Sequence, residues 1–195
     1  MNYLGHAVLS PGDRQILTGN MIADHVKGRL ALQELPDGIR KGILLHRAID
    51  KFTDEHPATQ RAKIWFRETY GLYAGPILDP VYDHFLANDP KHFAAAEDLL
   101  QFSAETYAAL DENEAYLPAG FKAYFSHMKE YNWLYGYRNV QGLKNSLAGM
   151  QRRAKYMPPA DEAYQIFISR YYQLAQCYYE LMDDAVRFVK VAVNQ

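Results

Sequence analysis

Around the stretch Gly42 to Pro57, ionisable side chains recur inside an apolar helical pattern. Ile39, Ile43, His46, Asp50 and Asp54 follow the three-and-four spacing that keeps side chains on one helix face. The face begins apolar and ends ionisable. A His and an Asp at the edge of a core need a hydrogen-bonding partner, an opposite charge or a metal ion. Similar residues stand elsewhere among apolar neighbours: His6 in the opening stretch, Asn20 and Asp24 one turn apart beside Ile16 and Leu17, and Asp83-His84 among Val81, Tyr82, Phe85 and Leu86. If several helices converge, His6, Asp24, His46, Asp50, Asp54, Asp83 and His84 fall into one pocket. Imidazole plus carboxylate suits Mn²⁺, Fe²⁺, Zn²⁺ or Mg²⁺. Such an ion makes hydroxide near neutral pH and stabilises charge on a phosphoryl oxygen, so phosphate-ester hydrolysis follows. A buried salt-bridge network is the competing account of the same residues.

The elements that must position these groups read as helices. Ser10-Pro11-Gly12-Asp13 is a loop, and Asp13 can cap a helix running to about Lys27, with Gly28 as its stop. Pro36-Asp37 starts the central helix, which should end before Pro57 because a residue preceding proline is biased away from helix. The next helix carries Ala62, Phe66 and Tyr70 to Gly71. Asp79 can cap a further helix with Pro80 at its first position. Amphipathic patterns then cover Phe93 to Leu110, Gly120 to Lys129 and Val140 to Arg153, and Pro158-Pro159 introduces a long helix from about Asp161 to Val191. There is no internal repeat and no convincing alternating strand, so the expected class is all-α, one helical-bundle domain over 1–195.

Composition narrows the function classes. A net charge of −2 and a pI near 6.4 argue against general coating of nucleic acid. The lone Cys177 excludes an intrachain disulfide framework and a multi-cysteine zinc site, and reads as a buried small hydrophobe. No basic opening followed by an apolar run is present, and no segment approaches the roughly 20 apolar residues of a membrane span, so a soluble, cytoplasmic protein is expected. No Glu has His three residues later, which removes the di-iron carboxylate bundle. His-Glu-x-x-His, Gly-x-Ser-x-Gly and a phosphate-binding glycine loop are also missing. Between Glu130 and Asp161 the chain carries Arg138, Lys144, Arg152, Arg153 and Lys155 and no acidic residue. That segment suits a phosphate or an acidic partner, or is simply a solvated face.

Five stretches carry a family resemblance. They are Asn2-Tyr3-Leu4-Gly5-His6, the segment Gly19 to Gly28, the segment Gly42 to Asp50, Thr53-Asp54-Glu55-His56-Pro57, and the segment Leu78 to Leu86. In order and spacing, through about residue 90, they resemble the successive motifs of the acyl carrier protein phosphodiesterase family. The resemblance implies an all-α architecture related to the His-Asp phosphohydrolases. It also implies a metal-dependent phosphodiesterase, preferably using manganese with Mg²⁺ or Fe²⁺ as other candidates. Such an enzyme removes 4'-phosphopantetheine from the serine of holo-acyl carrier protein, an acidic helical substrate.

On the residues and the resemblance together, the expected metal ligands are Asp24, His46, Asp50, Asp83 and His84. The superfamily's adjacent pair runs His then Asp, whereas here it is Asp83 then His84. His6 and Asp54 stand as ligands, orienting groups or the acid for the leaving serine. Asn20, Arg47, Arg138, Arg152, Arg153 and Lys155 are the expected substrate contacts, and Lys27, Arg29 and Arg40 could add steering charge. Two other functions fit the same residues: a metal-dependent hydrolase of a small phosphodiester or nucleotide, and a non-catalytic helical interaction module.

Overall fold

The computed structural model describes residues 1–192, without the side chains of Arg29 and Leu30, so the reading of Arg29 lies outside it. Every regular element among the described residues is helical. In chain order they are α1 (Tyr3–Val8), α2 (Arg14–Ile22), α3 (Arg29–Gln33), α4 (Asp37–Glu55), α5 (Pro57–Tyr70), α6 (Ala74–Ala87), α7 (Ala96–Glu112), α8 (Ala119–Glu130), α9 (Trp133–Gly136), α10 (Val140–Arg153), α11 (Ala160–Ser169) and α12 (Tyr171–Ala192). One continuous hydrophobic core runs from Leu4 on α1 to Val189 on α12. The class is all-α, as the periodicity implies.

The closest packing is between α2 and α4, and two glycines cause it. A Cβ on Gly19 would fall 2.0 Å from the Ile39 carbonyl oxygen, and one on Gly42 would fall 2.1 Å from the Ile16 carbonyl oxygen. Only bare backbone allows that approach. Gly42 is one turn before His46 and Gly19 immediately precedes Asn20, so the crossing sets His46 against Asn20. Asp13 begins α2 by accepting the amides of Gln15 and Ile16 at 2.8 and 2.9 Å.

Three boundaries differ most from the sequence reading. The helix expected to reach Lys27 stops at Ile22, and Ala23–His25 tightens into a 3₁₀ turn before extended Val26 and Gly28 at φ 88°. Pro80 lies inside α6, which starts earlier, so Asp79 is not a cap; its carboxylate instead lies 3.0 Å from the Met1 amine. Pro80 has no amide to give the carbonyl four residues earlier, which belongs to Pro76, an exposed residue in the first turn of α6. The long C-terminal helix breaks at Arg170, where Tyr171 turns onto Phe85 and Phe167 at ring distances of 5.1 and 5.4 Å. That break follows tertiary packing and has no proline or glycine to announce it.

Candidate metal centre

His6 is set in place from the start of α1. Asn2 caps the helix by accepting the Tyr3 amide at 3.0 Å. Asp83, fully buried on α6, accepts the amides of Leu4 at 2.8 Å, Gly5 at 3.1 Å and Asn2 at 3.2 Å. A carboxylate on the free amides of a helix start is favourable, yet burial dominates and lifts its pKa to about 7 against the pull of the Met1 amine and those amides. Asp83 therefore anchors the helix that carries His6.

Asn20 organises both imidazoles. Its side-chain nitrogen donates to the His6 carbonyl at 3.0 Å and to Ser10 Oγ at 2.9 Å, which leaves Oδ1 to face His6 Nδ1 at 2.8 Å. Its backbone carbonyl, one of the orphans at the end of α2, lies 2.8 Å from His46 Nδ1. Both partners are acceptors, so both Nδ1 atoms carry the proton. The two rings stack with centroids 3.9 Å apart and planes 16° from parallel.

That arrangement sends both Nε2 atoms toward carboxylates. His6 Nε2 is 3.2 Å from Asp50 Oδ1, and His46 Nε2 is 3.1 Å from Asp50 Oδ2 and 3.3 Å from Asp24 Oδ1. Nevertheless His46 Nε2 is a buried atom without a hydrogen bond, because no carboxylate oxygen is aligned with it. His6, His46 and Asp50 offer one ligand atom each within 4.8 Å of one another. The His6 and His46 side chains are 4% and 7% exposed, whereas those of Asp50 and Asp24 are 43% and 75% exposed. Imidazoles thus form the floor and carboxylates the open rim. Two imidazole nitrogens aimed among carboxylate oxygens are a candidate donor set for a divalent cation once His46 gives up its second proton, and Asn20 is the orienting partner of each Nδ1.

Electrostatics follow this geometry. Burial presses His6 down to about 4, although Asp50 opposes it. Burial also presses on His46, but Asp24 and Asp50 outweigh it and lift that imidazole to about 9. Burial works against the charge on Asp50, and His46 and His6 overcome it, holding the carboxyl well below the usual range. Asp24 is lowered chiefly by His46.

The remaining expected site residues are distributed differently. Asp83 spends both oxygens on α1, and His84 turns its Nδ1 to the Tyr137 carbonyl at 2.8 Å and its ring edge-on to Phe167. Neighbours on a helix diverge by about 100°, so adjacent residues serve different surroundings. Neither is placed in the His6, His46 and Asp50 cluster. Asp54, one turn past Asp50, is exposed and pairs with Lys63 at 2.9 Å. Asn20, expected to touch substrate, is fully buried with its amide spent on His6 and Ser10. Arg47 reaches the Val26 carbonyl at 3.3 Å, two residues from Asp24. Arg138 is half-buried, while Arg152, Arg153 and Lys155 are exposed on and just after α10. The sequence reading missed the supporting roles of Gly19 and Gly42; the signal was a glycine on each of two motif-bearing helices.

A family model described as acyl carrier protein phosphodiesterase matches residues 1–185, which include the whole cluster. The chain belongs to that family. Its acyl carrier protein phosphodiesterase relatives include one from Salmonella dublin, 33% identical over 153 residues that cover 78% of this chain and 79% of the relative. Another, from Serratia proteamaculans, is 29% identical over 189 residues, 95% of this chain and 97% of the relative. No solved structure matches. For this member of the acyl carrier protein phosphodiesterase family, the likeness thus extends far beyond the motifs before residue 90. No helix among the described residues is long and apolar enough to cross a membrane.

Proposed function

We propose that residues 1–195 form one phosphodiesterase domain that hydrolyses the link between 4'-phosphopantetheine and the serine of holo-acyl carrier protein, in the presence of a divalent metal. The family supports the substrate. The observation that carries metal dependence is the buried His46 Nε2, held beside Asp24 and Asp50 with no hydrogen bond. His6, His46 and Asp50 would hold the ion, with Asp24 at the exposed edge. When bound, a divalent ion supplies Lewis acidity and lowers the pKa of water toward neutrality. Manganese is the metal we favour; magnesium and iron(II) suit part of the same donor set.

In this reading water adds to phosphorus, the bond to the seryl oxygen breaks, and that oxygen takes up a proton. Asn20 keeps the Nδ1 proton on both imidazoles, so Nε2 is the nitrogen left for the ion, on His46 after it gives up its second proton. Asp83 holds α1, and with it His6, in register. The exposed Arg152, Arg153 and Lys155 face an anionic carrier protein and steer it. Such an enzyme would act on the carriers of fatty acid biosynthesis in the cytoplasm.

The test is to incubate the purified protein with holo-acyl carrier protein and Mn²⁺ and weigh the carrier. A phosphopantetheine-sized loss, absent with chelator, is expected. Bound metal with an unchanged carrier mass would sink the substrate assignment, and a panel of small phosphodiesters would then identify the activity.

A further inference from the structure

A chain of hydrogen bonds borders the metal centre without belonging to it. The hydroxyls of Tyr3 and Tyr124 are 2.5 Å apart, and the Tyr124 hydroxyl is 2.7 Å from His25 Nε2. Two of its three members share elements with the cluster. Tyr3 precedes His6 by one turn of α1, and His25 directly follows Asp24, whose Oδ1 lies 3.3 Å from His46 Nε2. Aromatic packing fixes the chain: Tyr124 lies parallel to Trp133 at 5.8 Å, and Phe121 meets Tyr3 and His25 edge-on at 6.4 and 5.8 Å. All three side chains are half-buried. Burial lifts both tyrosine hydroxyls, the nearby Asp24 carboxylate adds to the rise, and the exposed Arg153 from α10 opposes it.

We infer that Tyr3, Tyr124 and His25 form a phosphate clamp, in which the Tyr3 hydroxyl donates a hydrogen bond to a non-bridging oxygen of the phosphodiester. The inference rests on the phosphodiesterase reading. Two polarities are open to the chain. When His25 Nε2 accepts, Tyr124 donates to it and Tyr3 donates to Tyr124, and both hydroxyl protons are consumed internally. When the ring carries its proton on Nε2 instead, Tyr124 donates to Tyr3 and the Tyr3 proton is free for an anionic oxygen. The reversal is a change of tautomer and rotor, with no gain or loss of charge. A neutral donor of this kind suits a diester with a single negative charge, and Arg153 supplies the flanking cation.

Inorganic phosphate is the probe. Its affinity for the Mn²⁺-loaded protein is measured by calorimetry, and Mn²⁺ affinity is measured separately by electron paramagnetic resonance. Tyr3→Phe keeps the ring packing and should weaken phosphate about ten-fold or more, the worth of one hydrogen bond to a charged acceptor, with Mn²⁺ affinity unchanged. Tyr124→Phe should weaken phosphate in the same direction, and the double variant should lose less than the sum because the hydroxyls act as a unit. Phosphate affinity unchanged in Tyr3→Phe, a parallel loss of Mn²⁺, or no phosphate binding by the parent protein overturns the clamp. The two readings fail separately. Tyr3-dependent phosphate binding without turnover of holo-acyl carrier protein would leave the clamp standing and remove the substrate, whereas turnover with Tyr3-independent phosphate binding would remove only the clamp.

Discussion

His6 and His46 stack face to face at 3.9 Å, and the same residue, Asn20, takes the Nδ1 proton of each. One asparagine thereby fixes the tautomer of two imidazoles through its side chain and its backbone. Both Nε2 atoms thereby face the Asp50 carboxylate, at 3.2 Å from His6 and 3.1 Å from His46.

This arrangement predicts opposite responses to pH with and without metal. Without metal, His6 is lowered to about 4, so stability should rise as pH increases from about 4 to 6.5. His46 is raised to about 9, so its contribution is complete below the unfolded value near 6.5 and is lost as pH climbs toward 9. Metal must displace the His46 proton, so Mn²⁺ affinity should gain close to ten-fold per pH unit between about 6.5 and 8.5. Thermal melts and metal titrations across that window check both, and a pH-independent affinity would contradict the assignment.

Asp50 and Asp83 should separate function from folding. Asp50→Ala removes a half-exposed candidate ligand and should abolish Mn²⁺ binding, at a stability cost that reflects the lost pairing with His46 and therefore fades as pH rises from about 6.5 toward 9. Asp83→Ala strips the acceptor from the buried amides of Leu4 and Gly5 and the partly buried amide of Asn2, and should destabilise by about 3 kcal/mol. Denaturant unfolding of the two variants, each with and without Mn²⁺, reads the difference. A metal-binding loss in Asp83→Ala that outlives restoration of the fold by a stabilising osmolyte would instead make Asp83 a ligand.

Gly19→Ala and Gly42→Ala should each destabilise by about 2 kcal/mol or more, because a methyl would meet a backbone carbonyl at 2.0 to 2.1 Å. The rigid clash would push α2 from α4 and carry the Asn20 carbonyl away from His46, so metal affinity should fall with stability. Gly12→Ala is the control, since nothing lies within 4 Å of its added Cβ. Thermal shifts of the three variants measured together decide the point.

The residues explain what could be read beforehand. His46 and Asp50 share a face because their spacing is one helical turn, and that is local information. Proline, glycine and Asp13 marked the ends of α4 and α5 and the start of α2 for the same reason. The 3₁₀ turn that places Asp24 and the break at Arg170 depend on what packs against them, and no local residue type encodes it. Asp83 illustrates the limit most clearly. Its sequence neighbours announce a buried acid, but whether a buried acid meets a metal or three amides depends on which helix end lies opposite.

The basic stretch supports a final prediction about substrate size. Arg152 and Lys155 are exposed cations outside the His6, His46 and Asp50 cluster, in a segment with no acidic residue from 131 to 160. If they steer an acidic carrier, Arg152→Glu combined with Lys155→Glu should raise KM for holo-acyl carrier protein about ten-fold at low salt, and the penalty should shrink as ionic strength rises and the screening length falls below about 10 Å. Turnover of a small chromogenic phosphodiester should be unaffected, because such a substrate gains nothing from long-range attraction to the face. Steady-state kinetics with both substrates at two ionic strengths measure the effect. Equal losses on the two substrates would show that the charges act on the metal centre itself rather than on a docked protein.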